Sequence, residues 1–307
     1  MKIKIFVSIA ISLLFLILWG YRAQCEGEQL EKENIRSSIL AGTWYPENKR
    51  TLSKTIEGYL SGVNAGSPKG ELMAVVVPHA GYMYSGQVAA HAYARLQKRN
   101  FKRVILIGPS HKVGFRGVSV NLQSGYETPL GVVPVDRDLG KKIIDAHALI
   151  QWVPRAHASE HSLEIQLPFL QTALKDFQIV PIIMGEQDFQ TCSYLSRTLV
   201  RVMKNLDGTL LLASTDLSHF YSYKRARELD LNFIKRVQDF DPQGLADALF
   251  SGKCEACGGG PVITVMLTAQ ALGANRAAIL NYANSGDVTG DHDRVVGYVS
   301  AALYQDK

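Results

Sequence analysis

Three stretches of this chain place a histidine just beyond an apolar run. Residues 72–77 lead into Pro78-His79-Ala80-Gly81-Tyr82, residues 104–107 into Gly108-Pro109-Ser110-His111, and residues 210–213 into Ser214-Thr215-Asp216-Leu217-Ser218-His219. Neutral imidazole ligates iron, copper, zinc and nickel, and it moves protons near neutral pH. Each of these histidines, taken singly, has a plain role open to it as a hydrogen-bonded loop residue. Three in equivalent places point to a metal centre or a general base. Two imidazoles and one anion would hold a metal and leave positions for substrate or dioxygen.

Two residues offer that anion. Asp216 stands three residues before His219 and is equally suited to cap a helix N-terminus. Cys257 stands in Cys254-Glu255-Ala256-Cys257-Gly258-Gly259-Gly260-Pro261. There the glycines let the backbone approach a ligand, Pro261 suits the start of a helix, and the helix dipole favours a thiolate. The spacing of Cys254 and Cys257 serves a local disulfide as well. In Ser159-Glu160-His161-Ser162-Leu163-Glu164, His161 and Glu164 are i and i+3 on a first helical turn, which either orients the imidazole or makes a surface pair. His91, His147, His157 and His292 read as structural or exposed. Residues 284–291 are rich in Asp and Gly but lack the Glu at the twelfth place of a calcium loop, so a turn is expected.

These groups need a scaffold, and the pattern supplies one. Short apolar runs at 72–77, 104–107, 179–184, 210–213 and 295–303 read as buried strands. Helical spacing covers 86–96, 139–146, 161–174, 192–203 and 225–237. Alternating strands and helices imply a single α/β domain with a central, mostly parallel sheet flanked by helices. In open α/β sheets ligands bind outside the carboxyl ends of the strands, where the three histidine-bearing loops would converge.

The composition sets outer limits. With 307 residues, 47% hydrophobic and 20% charged, the chain suits one large domain. A net charge of +5 with dispersed Lys and Arg leaves no basic stripe, so no nucleic-acid partner is expected. Lys2 and Lys4 precede an apolar stretch over residues 5–20, closed by Tyr21 and Arg22. Residues 1–24 therefore read as a signal peptide or membrane anchor, with the N-terminus cytoplasmic if uncleaved and the domain exported or membrane-anchored, on the periplasmic or extracytoplasmic side. Cys25 follows a poor lipidation box. Residues 25–40 read as a linker and 41–307 as the domain. Four cysteines are too few and too uneven for a disulfide framework.

Six motifs, in order, resemble the Memo family: Ala41-Gly42-Thr43-Trp44-Tyr45-Pro46, Pro78-His79-Ala80-Gly81-Tyr82, Gly108-Pro109-Ser110-His111, Glu160-His161-Ser162-Leu163-Glu164, Ser214-Thr215-Asp216-Leu217-Ser218-His219 and Cys257-Gly258. In prokaryotes that family is also called AmmeMemoRadiSam system protein B. The resemblance implies a fold similar to class III extradiol dioxygenases, in which two histidines and a carboxylate hold iron(II), with cysteine in the carboxylate's place. Carried over, it implies His79, His111 and Cys257 as ligands of one transition metal, iron(II) or copper, with Asp216 and His219 as catalytic pocket residues. It further implies redox chemistry or an adaptor role, a small-molecule or peptide ligand, and a link to AMMECR-type and radical SAM proteins. The residues leave three functions open: a dioxygenase-like oxidoreductase, a binding or adaptor protein without turnover, and a hydrolase using metal-activated water.

Overall fold

The computed structural model describes residues 34–64, 66, 70–204 and 206–306. In chain order the strands are β1 (Ile35–Arg36), β2 (Glu71–Val77), β3 (Arg103–Pro109), β4 (Val118–Val120), β5 (Gly125–Thr128), β6 (Gly131–Pro134), β7 (Ile150–Gln151), β8 (Gln178–Met184), β9 (Thr209–Ser214), β10 (His219–Tyr221), β11 (Arg276–Asn284) and β12 (Val295–Gln305). The helices are α1 (Lys49–Ser61), α2 (Tyr82–Tyr93), α3 (Arg137–Asp145), α4 (Pro154–Ala158), α5 (Leu167–Ala173), α6 (Phe189–Met203), α7 (Tyr223–Gln238), α8 (Pro242–Phe250), α9 (Gly259–Ala271) and α10 (Ser285–Thr289).

Nine strands form one sheet in the order β10-β12-β2-β9-β3-β8-β4-β7, with β11 also paired to β12. The centre, β2-β9-β3-β8, is parallel, because helices return the chain between these strands. Both flanks carry antiparallel pairs, β12 on β2 and β4 on β8, so the sheet is mixed. The apolar runs are continuous because both faces of the sheet are covered. Ala74, Val76, Ile105, Ile107, Leu211 and Ala213 pack into one core with α3, α6, α7, α8 and α9. Their alternate neighbours Val75, Val77, Val104, Leu106, Leu210 and Leu212 pack into a second core with α1, α2 and α5.

A smaller sheet, β1-β5-β6, lies beside the large one. It draws in part of the stretch read as a linker: Arg36 and Leu40 are each 4% exposed, and Ile35 pairs with Gly125. The expectation of an exported or membrane-anchored protein is corrected, since no helix among the described residues is long and apolar enough to cross a membrane. The apolar segment at residues 5–20 that prompted it lies outside the described residues.

Strands β2, β9 and β3 are neighbours, so their carboxyl ends open on one crevice. The bond from Thr215 N to Val77 O, 2.9 Å long, ties two of those ends together.

Candidate metal centre

His79 follows β2 and is 2% exposed. Its Nδ1 lies 3.0 Å from Ser214 Oγ. That hydroxyl spends its one proton on Ser162 O at 2.6 Å and accepts from Gln166 Nε2 at 2.8 Å. It must therefore accept from His79 as well, which puts the proton on Nδ1 and leaves Nε2 with a free lone pair. His111, just beyond β3, reaches the same state by another route. Glu160 Oε1 takes its Nδ1 at 2.9 Å and Oε2 takes its backbone N–H at 2.6 Å. Burial alone would raise the Glu160 pKa, but the side-chain and backbone bonds from His111 and the amide of Ser162 bring it down to about 2. An ionised carboxylate accepts, so Nδ1 of His111 carries a proton and Nε2 is the edge left for a metal.

His161 lies beside the same carboxylate, its Nδ1 3.3 Å from Glu160 Oε1. One ligand atom from each of His79, His111 and His161 lies within 4.8 Å of those of the other two. Burial pushes the His79 imidazole well below its ordinary range, helped by the neighbouring His111 and His161, and pushes His161 down to about 4. Imidazoles whose Nδ1 edges are held by Ser214 and Glu160 keep the other ring edge for a transition metal.

Cys257 comes to the same place from the other side of the sheet's end. Its Sγ lies 3.1 Å from His79 Nε2 and accepts from Asp216 N at 3.3 Å. Gly258 makes this approach possible: a Cβ there would lie 2.2 Å from Ser214 O and 2.8 Å from Thr215 Cβ. The sequence predicts a thiolate favoured by the dipole of α9. Burial instead, with the charge of Asp216, pushes the thiol well above its usual range. A bound cation reverses this balance, because a coordinating thiol is deprotonated outright. Cys254 is free and 1% exposed, and no disulfide joins it to Cys257.

The other expected site residues fall out differently. The carboxylate of Asp216 accepts the backbone N–H of His79 at 2.7 Å, and among the described residues no hydrogen bond joins it to His219. Burial raises its pKa to about 7 against the pull of the His79 and Ala80 amides. His219 lies in β10, where its backbone pairs with Val296, and burial lowers its pKa. It lines the main cavity with the three other histidines and Asp216. This cavity, about 700 Å³, is walled by Trp44, Met83, Tyr84, Phe220 and Tyr298. Glu164 neither orients His161 nor sits on the surface. It is fully buried, and its Oε2 meets Arg36 Nη1 at 2.5 Å.

Sequence reasoning missed the roles of Glu160, Ser214, Arg36 and Trp44. The sign available was the position of Glu160 beside His161; the others come from segments more than 30 residues away from the groups they touch.

A profile of the Memo-like protein family matches residues 36–302. The chain belongs to the Memo family. A MEMO1 family protein of Methanosarcina mazei is 37% identical over 272 residues, covering 87% of this chain and 98% of that relative. One from Methanobrevibacter smithii is 36% identical over 277 residues, with the same coverage of each. Among solved structures, the uncharacterized protein JW3007 from Escherichia coli K12 superposes with a TM-score of 0.52 at 13% identity, covering 75% of this chain and 99% of that one. That likeness shows a shared fold.

Proposed function

We propose that this Memo family protein is a metal-dependent oxidoreductase that holds iron(II) or copper on His79, His111 and Cys257. The observation that carries the reading is the donor set. Three imidazoles converge in the wall of one cavity, and the Cys257 thiol, which lines a neighbouring one, meets the Nε2 edge of His79. His161 is the third of these imidazoles. Such a metal supplies an open coordination position and one-electron chemistry.

The chain's own residues would do the rest. Ser214 and Glu160 fix the ring orientations. Asp216 holds the backbone of His79 in place. Trp44, Tyr84 and Tyr298 give the cavity aromatic walls that favour an apolar substrate. His219, in the cavity wall with its imidazole kept neutral by burial, would take or return a proton of the substrate.

The test is metal analysis of protein purified without added metal, followed by dioxygen-uptake assays with catechols and other apolar phenols. Near-stoichiometric iron or copper and turnover lost in His219→Ala, with metal retained, are expected. Loss of metal from His219→Ala as severe as from His79→Ala would overturn the assignment of His219. Stoichiometric metal without turnover on any oxidisable substrate would leave a binding protein in place of an enzyme.

A further inference from the structure

The geometry points to Arg36 as a positioning residue for the metal site, an inference that rests on the metal reading above. Its guanidinium is buried far from its partners in sequence. Nε donates to His157 O at 2.6 Å, Nη2 to Glu160 O at 2.7 Å and Nη1 to Glu164 Oε2 at 2.5 Å, with the Tyr126 ring 4.9 Å from Cζ. Those three acceptors bracket the turn from 157 to 164. On that turn sit Glu160, which grips His111 by its ring and its backbone, and His161 itself. A planar fork reaches three acceptors on one turn in fixed directions, whereas a lysine ammonium acts as a mobile point charge.

Glu164 closes the clamp from below. Its carboxylate also accepts from Ser38 Oγ at 2.7 Å, Leu40 N at 3.0 Å and Tyr45 OH at 2.7 Å. The strap from β1 to Trp44 is thus bound to the turn that presents His161, and the Trp44 ring lies 4.7 Å from that imidazole. Arg36 thereby fixes where two of the three converging imidazoles point, without touching either ring. An ion pair that served the core alone would affect melting and leave the imidazoles where they are in the folded protein.

The experiment compares the full chain with Arg36→Lys and Glu164→Gln, each first shown folded by its melting curve. Metal-free protein is titrated with Co(II), followed by its visible d–d bands and by the thiolate-to-cobalt charge-transfer band. In Arg36→Lys the d–d bands should shift and weaken and the Co(II) Kd should rise about 10- to 100-fold, as when the partners that orient metal ligands are lost. The charge-transfer band should persist at saturation, because Cys257 lies on another loop. Glu164→Gln should move the same way by less.

A second readout does not need the metal. In metal-free wild type, imidazole ¹⁵N shifts should show His111 in one tautomer, protonated at Nδ1, and Arg36→Lys should show mixed tautomers. If wild type binds no Co(II), the metal reading falls while this spectrum still decides the role of Arg36. A folded Arg36→Lys with the wild-type cobalt spectrum and tautomer would overturn the proposal. So would failure of both variants to fold, which would make the pair a core element only.

Discussion

Two histidine sites in this molecule, both touched by Arg36 or by the turn it holds, differ in one respect that decides their roles. His157 is fully buried, with Nδ1 3.0 Å from Tyr126 OH and Nε2 3.0 Å from Ser119 Oγ. Asn121 donates to Tyr126 OH and Val153 N to Ser119 Oγ, so a hydroxyl that is itself held in place faces each ring nitrogen of His157. Both ring edges are spoken for. In His79 and His111 Nδ1 is pinned by Ser214 and Glu160, and the Nε2 edge of His79 meets the Cys257 thiol. Burial lowers the pKa of His157, to about 3, and that of His79 as well. Burial and a displaced pKa therefore do not separate a brace from a ligand. What the second edge meets does: for His79 it is the Sγ of another candidate ligand, for His157 a structural hydroxyl.

The largest effects should split along this line. His79→Ala is expected to weaken metal binding by more than about 100-fold, beyond the loss seen for groups that merely orient a ligand, with melting of the metal-free protein little changed. His157→Ala should do the reverse. It opens a cavity and strands Tyr126 OH and Ser119 Oγ, at a cost of about 2–4 kcal/mol, while Co(II) affinity stays at the wild-type value. Urea unfolding and metal titration of the two variants check both halves. Equal metal loss in both would dissolve the distinction.

Acid should sharpen it. The unfolded chain protonates His157 near its ordinary 6.5, and the folded chain resists down to about 3. The stability this histidine contributes is complete above pH 6.5 and is lost as pH falls through that window, by up to about 1.4 kcal/mol per unit. His161, pushed down to about 4, adds a loss of the same sign. Measured with chelator present, the pH slope of unfolding between 6.5 and 4 should be shallower by one proton in His157→Ala than in wild type. An unchanged slope would contradict the neutral, doubly bonded imidazole.

A smaller effect is expected from Glu160→Gln. The amide oxygen still accepts from His111, but the charge is gone, so Co(II) affinity should fall about tenfold, the low end for partners that orient a ligand. Another contrast lies within the cysteine pair. Cys257→Ser should lose most bound metal, whereas Cys254→Ser should keep it and cost about 1 kcal/mol from a buried site. Equal behaviour in metal analysis and thiol titration would favour a pair over a ligand and its neighbour.

The sequence by itself determined much of this. All five apolar runs became strands, and the expected helices at 86–96, 139–146, 161–174, 192–203 and 225–237 overlap α2, α3, α5, α6 and α7. These signals are local: period and the turn residues after each run dictate them. The histidines at the strand ends were legible for the same reason, because parallel neighbours must present their carboxyl ends together.

Only the tertiary structure decided the rest. Strand β11 and the short β10 lack a strong period of their own and form by pairing with β12. Asp216 turned from His219 to the backbone of His79 because that amide lies within its reach across a strand boundary. Glu164 paired with Arg36 instead of His161, and Glu160 took up the imidazoles. Which nitrogen of each histidine stays free depends on hydroxyls and carboxylates supplied by distant loops. Spacing along the chain fixes which loops meet, but the direction of a hydrogen bond is set only once they have met.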